Sequence, residues 1–337
     1  MGHILAKVSP NSQLSQTFPP PSKFNPEKDI PDLSGKIHHP GSGYLQVAVV
    51  TGGNTGIGYH IVRYLLLKNA TVFLASRSIE RGEKAVAQLE KDTKGKKAVL
   101  VQLDLADLAS VKKAAQEILS KEERVDLLFN NGNLTGTNVI GAYYLTTLLA
   151  PALERSTQHH QIKARVISAS STAHIFHGSD TGMDWDVLKG GDVRDRAIKK
   201  LGMLSDWKLY GISKMVLSRT NTCSEGVVLM SNFMAKQHGD QFASCSYNPG
   251  GLKTGLQRNL SNVKRSLLNL ALYPVHMGAF TPLYAATVPD ASDMNGKFFI
   301  PFARPGKADT RSDKIESQEK LKEWLEKQVR EFESNNN

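Results

Sequence analysis

Cysteine is scarce: Cys223 and Cys245 are the only two in 337 residues. Two cysteines make neither a disulfide framework nor a zinc pattern, so a reducing compartment is expected. His38-His39 and His159-His160 lack metal-ligand spacing and companion ligands, and no metal site is expected. Long apolar runs are missing too. The stretch 139–153 is too short and too interrupted to span a bilayer. The N-terminus has no charged region followed by an apolar one, which argues against a secretory signal. Met1-Gly2 starts like a myristoylation signal, but Ala6 stands where Ser or Thr is required. A soluble, cytoplasmic protein without a transmembrane segment is expected. Basic tracts are also absent. The formal charge is +10 and the pI about 9.4, yet Lys and Arg are scattered. Runs such as 80–91 and 317–331 mix both signs, as solvated helix faces do. No nucleic-acid partner is expected, whereas an anionic small ligand suits the charge.

Hydrophobic residues make up 40% of the chain, ample for the core of one large domain. Residues 1–43 are rich in Pro, Ser and Gly, with Pro19-Pro20-Pro21 in the middle, and read as a flexible leader. Residues 44–337 read as a single domain. Within it, apolar runs at 47–50, 71–75, 98–103, 127–129, 165–167, 242–247 and 297–301 alternate with amphipathic stretches such as 85–89 and 111–119. This alternation predicts an α/β fold: a doubly wound parallel sheet of the Rossmann type, about seven strands with helices on both faces.

Ala48-Val49-Val50 runs into Thr51-Gly52-Gly53-Asn54-Thr55-Gly56-Ile57-Gly58, and a helical run follows. Glycines let a backbone approach a pyrophosphate closely, and a helix N-terminus supplies free N–H groups and a positive dipole. The spacing G-x-x-x-G-x-G differs from the usual dinucleotide fingerprint, but its position at the first strand-to-helix junction suits that role. The second strand ends at Ser76-Arg77. An acidic residue there would grip a ribose 2′-hydroxyl, whereas Arg77 suits a 2′-phosphate, which favours NADP over NAD. Farther on, Tyr210 and Lys214 are four residues apart, one helical turn. An ammonium beside a phenol favours the phenolate, and such a tyrosine can pass a proton to or from a hydroxyl or carbonyl.

With these residues in place the chain resembles the short-chain dehydrogenase/reductase family, from about Ile30 to the C-terminus. The elements occur in family order: the glycine turn, Asp104-Leu105, Asn130-Asn131, Asn138, Ser170-Ser171, Tyr210 with Lys214, and Pro249-Gly250 with Thr254. Ile30-Pro31-Asp32-Leu33-Ser34-Gly35-Lys36, Ser170-Ser171-Thr172-Ala173-His174 and Gly296-Lys297-Phe298-Phe299-Ile300-Pro301 resemble the fungal and retinol-dehydrogenase-like branch.

The resemblance implies an NADP(H)-dependent oxidoreductase that interconverts an alcohol and a ketone or aldehyde, with NAD the less favoured cofactor. It implies Tyr210 as acid/base and Lys214 as its partner on the nicotinamide ribose. Ser171 would hydrogen-bond the reacting oxygen, and Asn138 would support a proton-relay water. Gly52, Asn54, Thr55, Gly56, Ile57, Gly58, Arg77, Asp104, Asn131, Leu252 and Thr254 would complete the cofactor site. A small-molecule carbonyl or alcohol substrate, a homodimer or homotetramer, and a role in fungal secondary metabolism are implied in the same way. The 38 residues between Ser171 and Tyr210 are expected near the substrate mouth.

Three places depart from the family pattern. Residues 37–46 read as an insertion. Asn138 follows Asn131 by only seven residues, where the family places a longer loop and a helix start. Asn221-Thr222-Cys223-Ser224-Glu225-Gly226 reads as a turn inside what should be one helix, with about a dozen residues inserted before Asn232. The short connection supports an alternative: a catalytically impaired nucleotide-binding relative.

Overall fold

Five consecutive residues of the first strand, Val47–Thr51, are buried (β1). A strand covered on both faces needs such a run, because successive side chains point to opposite sides. Val47 and Val49 join one apolar cluster, and Ala48 and Val50 join the other. The protein is seen in a computed structural model that describes residues 12–34, 46–132, 138–160, 162–171, 185, 216–253, 272–287 and 294–336, without side chains at 13, 14, 138 and 216–224.

The remaining strands are β2 (Thr71–Ser76), β3 (Val99–Gln102), β4 (Leu127–Asn130), β5 (Ala164–Ala169), β6 (Phe242–Tyr247), β7 (Phe298–Ile300) and β8 (Arg304–Gly306). They form one sheet in the order β3-β2-β1-β4-β5-β6-β7-β8. All pairs are parallel except β7 with β8. The described sheet therefore has eight strands rather than about seven. The added one, β8, is a short antiparallel return. The strand order reverses between β1 and β4, the point where doubly wound sheets open a crevice at their carboxyl ends.

Among the described residues the α-helices are α1 (Gln13–Thr17), α2 (Pro26–Asp29), α3 (Gly56–Leu67), α4 (Ile79–Asp92), α5 (Leu108–Lys121), α6 (Asn138–His160), α7 (Val216–Gln237), α8 (Phe280–Thr287) and α9 (Ile315–Asn336). Side chains of α3, α4 and α8 pack on one face of the sheet, and those of α5, α6, α7 and α9 on the other. The α9 residues Leu321, Leu325 and Val329 lie in the same cluster as Tyr143 and Tyr144 of α6 and Phe233 of α7.

Two expectations are corrected. The part of the proposed leader that is described, 12–34, is packed rather than flexible. Phe24, Ile30 and Leu33 are buried in the α3 and α8 cluster, and Phe24 meets Tyr284 edge-on with ring centroids 5.5 Å apart. Nor is there a turn at 221–226: α7 is helical from Val216 to Gln237. Residues 225–230 of it are all buried, and burial on every side of a helix outweighs the weak helix propensity of Asn, Ser and Gly. The insertion proposed at 37–46 lies almost wholly outside the described residues. Its flanks are tied, because Gln46 N donates to Leu33 O at 3.1 Å.

Candidate cofactor and active site

The crevice begins where β1 ends. Gly52 takes φ +64° and Gly56 φ +59°, values that favour glycine. A methyl on Gly58 would stand 2.3 Å from the Gly52 carbonyl oxygen and 2.7 Å from Asn131 Nδ2, so α3 can approach β1 only with glycine there. A methyl on Gly56 would meet nothing within 4 Å, so the turn is open on that side. Thr55 is the N-cap of α3, yet its side chain makes no capping hydrogen bond. The first N–H groups of the helix thus face outward with the helix dipole behind them.

Thr51 organises this turn. Its hydroxyl donates to Phe129 O at 3.3 Å and accepts from Asn131 N at 2.9 Å and Gly132 N at 3.0 Å. Asn131 Nδ2 donates to Thr51 O at 3.3 Å, while Asn131 Oδ1 accepts from the Tyr247 hydroxyl at 3.2 Å. Burial pushes the Tyr247 phenol far up, and it stays a neutral donor. The ends of β1, β4 and β6 are thereby held together by side chains whose polar atoms are satisfied. Asn130 adds a buried link from β4 to α6, donating to Thr146 Oγ1 at 3.1 Å.

Arg77 lies at the end of β2, exposed, with Ser78 capping α4 behind it through Arg81 N at 3.3 Å. Asp104 follows β3, and its Oδ1 accepts from Ala106 N at 3.0 Å. Leu105 is pinned from two sides. A methyl on Gly132 would stand 2.6 Å from its Cδ1, and one on Gly141 of α6 would stand 2.1 Å from its carbonyl oxygen. Ser170 N donates to Tyr247 O at 2.7 Å, which puts Ser170-Ser171 at the carboxyl end of β5 beside β6. Leu252 is bridged to Tyr273. A methyl on Gly278 would stand 2.3 Å from Leu252 Cδ1 and 3.0 Å from Ile57 Cγ1, so the turn Val275–Ala279 wedges the segment after β6 against the glycine turn.

Gly52, Asn54, Thr55, Gly56, Ile57, Gly58, Arg77, Asp104, Asn131, Ser171 and Leu252 therefore gather at the carboxyl ends of the strands. Asn138 starts α6, and its side chain is outside the described residues, as are Tyr210, Lys214 and Thr254 altogether. Among the described residues no group of His, Cys, Asp or Glu could hold a metal ion, and no helix is long and apolar enough to cross a membrane. Sequence reasoning passed over Thr51 and Tyr247. A hydroxyl residue directly before the first glycine was a usable signal for Thr51; nothing local marks Tyr247.

A pyrophosphate fits this cradle. The glycine side is open where the ligand would lie, and the N–H groups of α3 have no capping side chain competing for them. Known proteins agree with the fold. A family model described as short chain dehydrogenase matches residues 46–180. A short-chain dehydrogenase/reductase of Armillaria gallica is 38% identical over 338 residues, covering 95% of this chain and 98% of that protein. One from Phomopsis amygdali is 32% identical, covering 80% and 78%. Among solved structures, a Pseudomonas aeruginosa RhlG/NADP active-site complex has a TM-score of 0.58 at 20% identity, covering 78% of this chain and 97% of that one. Salutaridine reductase from Papaver somniferum has a TM-score of 0.54 at 20% identity, covering 76% and 99%. With the Armillaria protein alike along almost its whole length, and the glycine turn built as described, the chain belongs to the short-chain dehydrogenase/reductase family of oxidoreductases.

Proposed function

We propose that this protein is an NADP(H)-dependent oxidoreductase that interconverts an alcohol and a ketone or aldehyde, and that residues 44–337 act as one catalytic unit. The observation that carries the reading is the open glycine turn fastened to Asn131 at the strand-order reversal, with exposed Arg77 at the end of the neighbouring strand. A nicotinamide dinucleotide, when bound, supplies or accepts the hydride. The backbone N–H groups of Gly56, Ile57 and Gly58 hold its pyrophosphate, Arg77 meets a 2′-phosphate, and Asp104 and Asn131 line the path between. Tyr210 gives a proton to the carbonyl oxygen in reduction and takes it back in oxidation. Lys214 keeps the phenol acidic enough for that exchange. Ser171 donates to the same oxygen, and Asn138 serves the proton relay. Leu252 and Thr254 flank the reacting end. The fungal resemblance also underlies our assignment of the reaction to secondary metabolism.

The test is NADPH oxidation by purified protein with a panel of aldehydes and ketones. Turnover is expected. Tyr210→Phe is expected to remove it by a factor of at least about a hundred while NADPH still binds. An unchanged rate in that variant overturns the mechanism. Binding without turnover across the panel identifies instead the impaired nucleotide-binding relative that the seven-residue step from Asn131 to Asn138 suggests. In a titration with both cofactors, Arg77→Glu is expected to weaken NADPH about tenfold or more and to leave NADH little changed.

A further inference from the structure

The segment before the first strand does not merely lie on the core. Ser15 and Gln16 of α1 are 7% and 1% exposed, and the side chain of each is hydrogen-bonded to a residue beyond β6. Asn248 Nδ2 donates to Gln16 Oε1 at 2.9 Å, across 232 residues of chain. Arg304 of β8 donates through Nη1 to Ser15 Oγ at 3.0 Å and through Nη2 to Ser15 O at 2.9 Å, and its Nε reaches Pro301 O at 2.5 Å. Two residues past α1, Pro19 O accepts from the Tyr273 hydroxyl at 3.4 Å.

Two of these partners, Asn248 and Tyr273, belong to or pair with the segment that follows β6. Asn248 is the first residue after Tyr247, and its Oδ1 accepts from Gly250 N at 3.1 Å. Gly250 takes φ +92°, and a methyl on it would stand 3.0 Å from Pro301 Cγ. Tyr273 exchanges backbone hydrogen bonds with that segment: its N donates to Gly251 O and its O accepts from Lys253 N, both at 2.9 Å. The arm therefore holds the loop 248–253 at Asn248 and at Tyr273, and Arg304, which it also holds, reaches Pro301, against which Gly250 rests. A segment that only covered apolar surface would not place a buried glutamine on the one side chain that also fixes the Gly250 turn. Leu252, in the same loop, reaches the glycine turn through Gly278.

We infer that the N-terminal arm is a positioning element of the active site, and that Gln16 and Arg304 set the loop 248–253 on the substrate side. The inference rests on the reading above, in which Leu252 and the residues after it flank the nicotinamide and the substrate. Gln16 touches neither; it acts through Asn248. Gln16→Met keeps length and burial but removes the acceptor. Gln16→Glu keeps an acceptor at the same reach.

The test is made on the full-length chain by amide hydrogen exchange, with NADPH affinity and carbonyl kinetics measured on the same samples. In Gln16→Met the amides of Gly250 to Lys253 are expected to exchange about tenfold faster, with those of β1 unchanged. KM for the carbonyl is expected to rise about tenfold while the NADPH dissociation constant stays within about twofold. Gln16→Glu should recover most of both changes. Unchanged loop exchange overturns the inference. So does acceleration that extends to β1, which would mark general loosening, and so does a faster loop with KM unmoved. If no carbonyl is turned over even by the parent protein, the proposed activity fails on its own, and the confined exchange change with its recovery in Gln16→Glu still decides whether the arm sets the loop.

Discussion

The glycine turn, at the carboxyl end of β1, and helix α7, on one face of the sheet, are built by opposite means. At the turn each close approach is made by a glycine, and the polar atoms around it are paired within a few residues of a strand end: Thr51 with Asn131 and Gly132, Asn131 with Tyr247. In α7, Glu225 is fully buried and neither carboxylate oxygen has a hydrogen-bond partner among the described residues. Burial, with a smaller push from Asp309 and a pull from Arg311, raises its carboxyl to about 8. The contrast separates two ways of holding a backbone. The turn is held by groups that fit, so little can change there. The helix is held by the apolar mass of Val227, Val228, Leu229 and Met230 and carries an ionisable group whose charged form is at a disadvantage.

The comparison breaks hardest at Gly58. Gly58→Ala puts a methyl onto a carbonyl oxygen and an amide that have nowhere to go. Loss of NADPH binding by more than about a hundredfold is expected in a fluorescence titration, with melting lowered by several degrees or more, roughly the shift that 1–3 kcal/mol of overpacking brings. Normal binding would show that the turn relaxes and is not built as tightly as it looks.

Shortening the chain before α9 comes next. Removing 315–337 uncovers the side of α6 and α7 on which Leu321, Leu325 and Val329 lie. The shortened protein should self-associate or lose its cooperative melting transition, as sedimentation and thermal melting would report. A monodisperse, equally stable product would mean that this helix contributes little.

Glu225 gives the opposite sign. Its carboxyl sits above its ordinary 4.5 when folded, so between about 4.5 and 8 the folded chain binds more protons than the unfolded one. Its contribution is therefore full below about 4.5, is lost as pH rises to about 8, and is flat beyond. Glu225→Met should stabilise by about 1–3 kcal/mol at pH 8 and flatten the pH dependence of unfolding in that window. Equal slopes in the two proteins would mean that water or Arg311 reaches the carboxylate. The smallest effect belongs to the exposed pair Lys84–Glu80, 2.6 Å apart with both side chains about three-quarters exposed. Lys84→Ala should move stability by less than about 0.5 kcal/mol in denaturant melts.

What could be read from the amino acids follows the same division. The run 242–247 predicts β6 to the residue, and the glycine turn was legible because its demands are local. Strand β8, Arg-Pro-Gly, carries no strand pattern; it exists because β7 offers an edge three residues away. The packing of 24–33 was hidden behind proline and serine content, since its partners in α3 and α8 are distant in sequence. The run 221–226 reads as a turn by every local rule and is helical because of what surrounds it. For the candidate site, the place where Gly52, Gly56, Gly58, Arg77 and Asn131 gather, at the carboxyl ends of the strands, was legible from the strand-to-helix junctions. The hold of Gln16 on Asn248 was not, because neither residue has a local reason to be there.

One hydrogen bond has a use beyond the fold. Gln46 N meets Leu33 O at 3.1 Å, so the described residues on either side of 35–45 are held next to each other. Doubling a loop that starts and ends together costs only about 0.6 kcal/mol. An affinity tag, a fluorophore or a whole domain inserted between these tied flanks is expected to leave β1 and the glycine turn that follows it as they are.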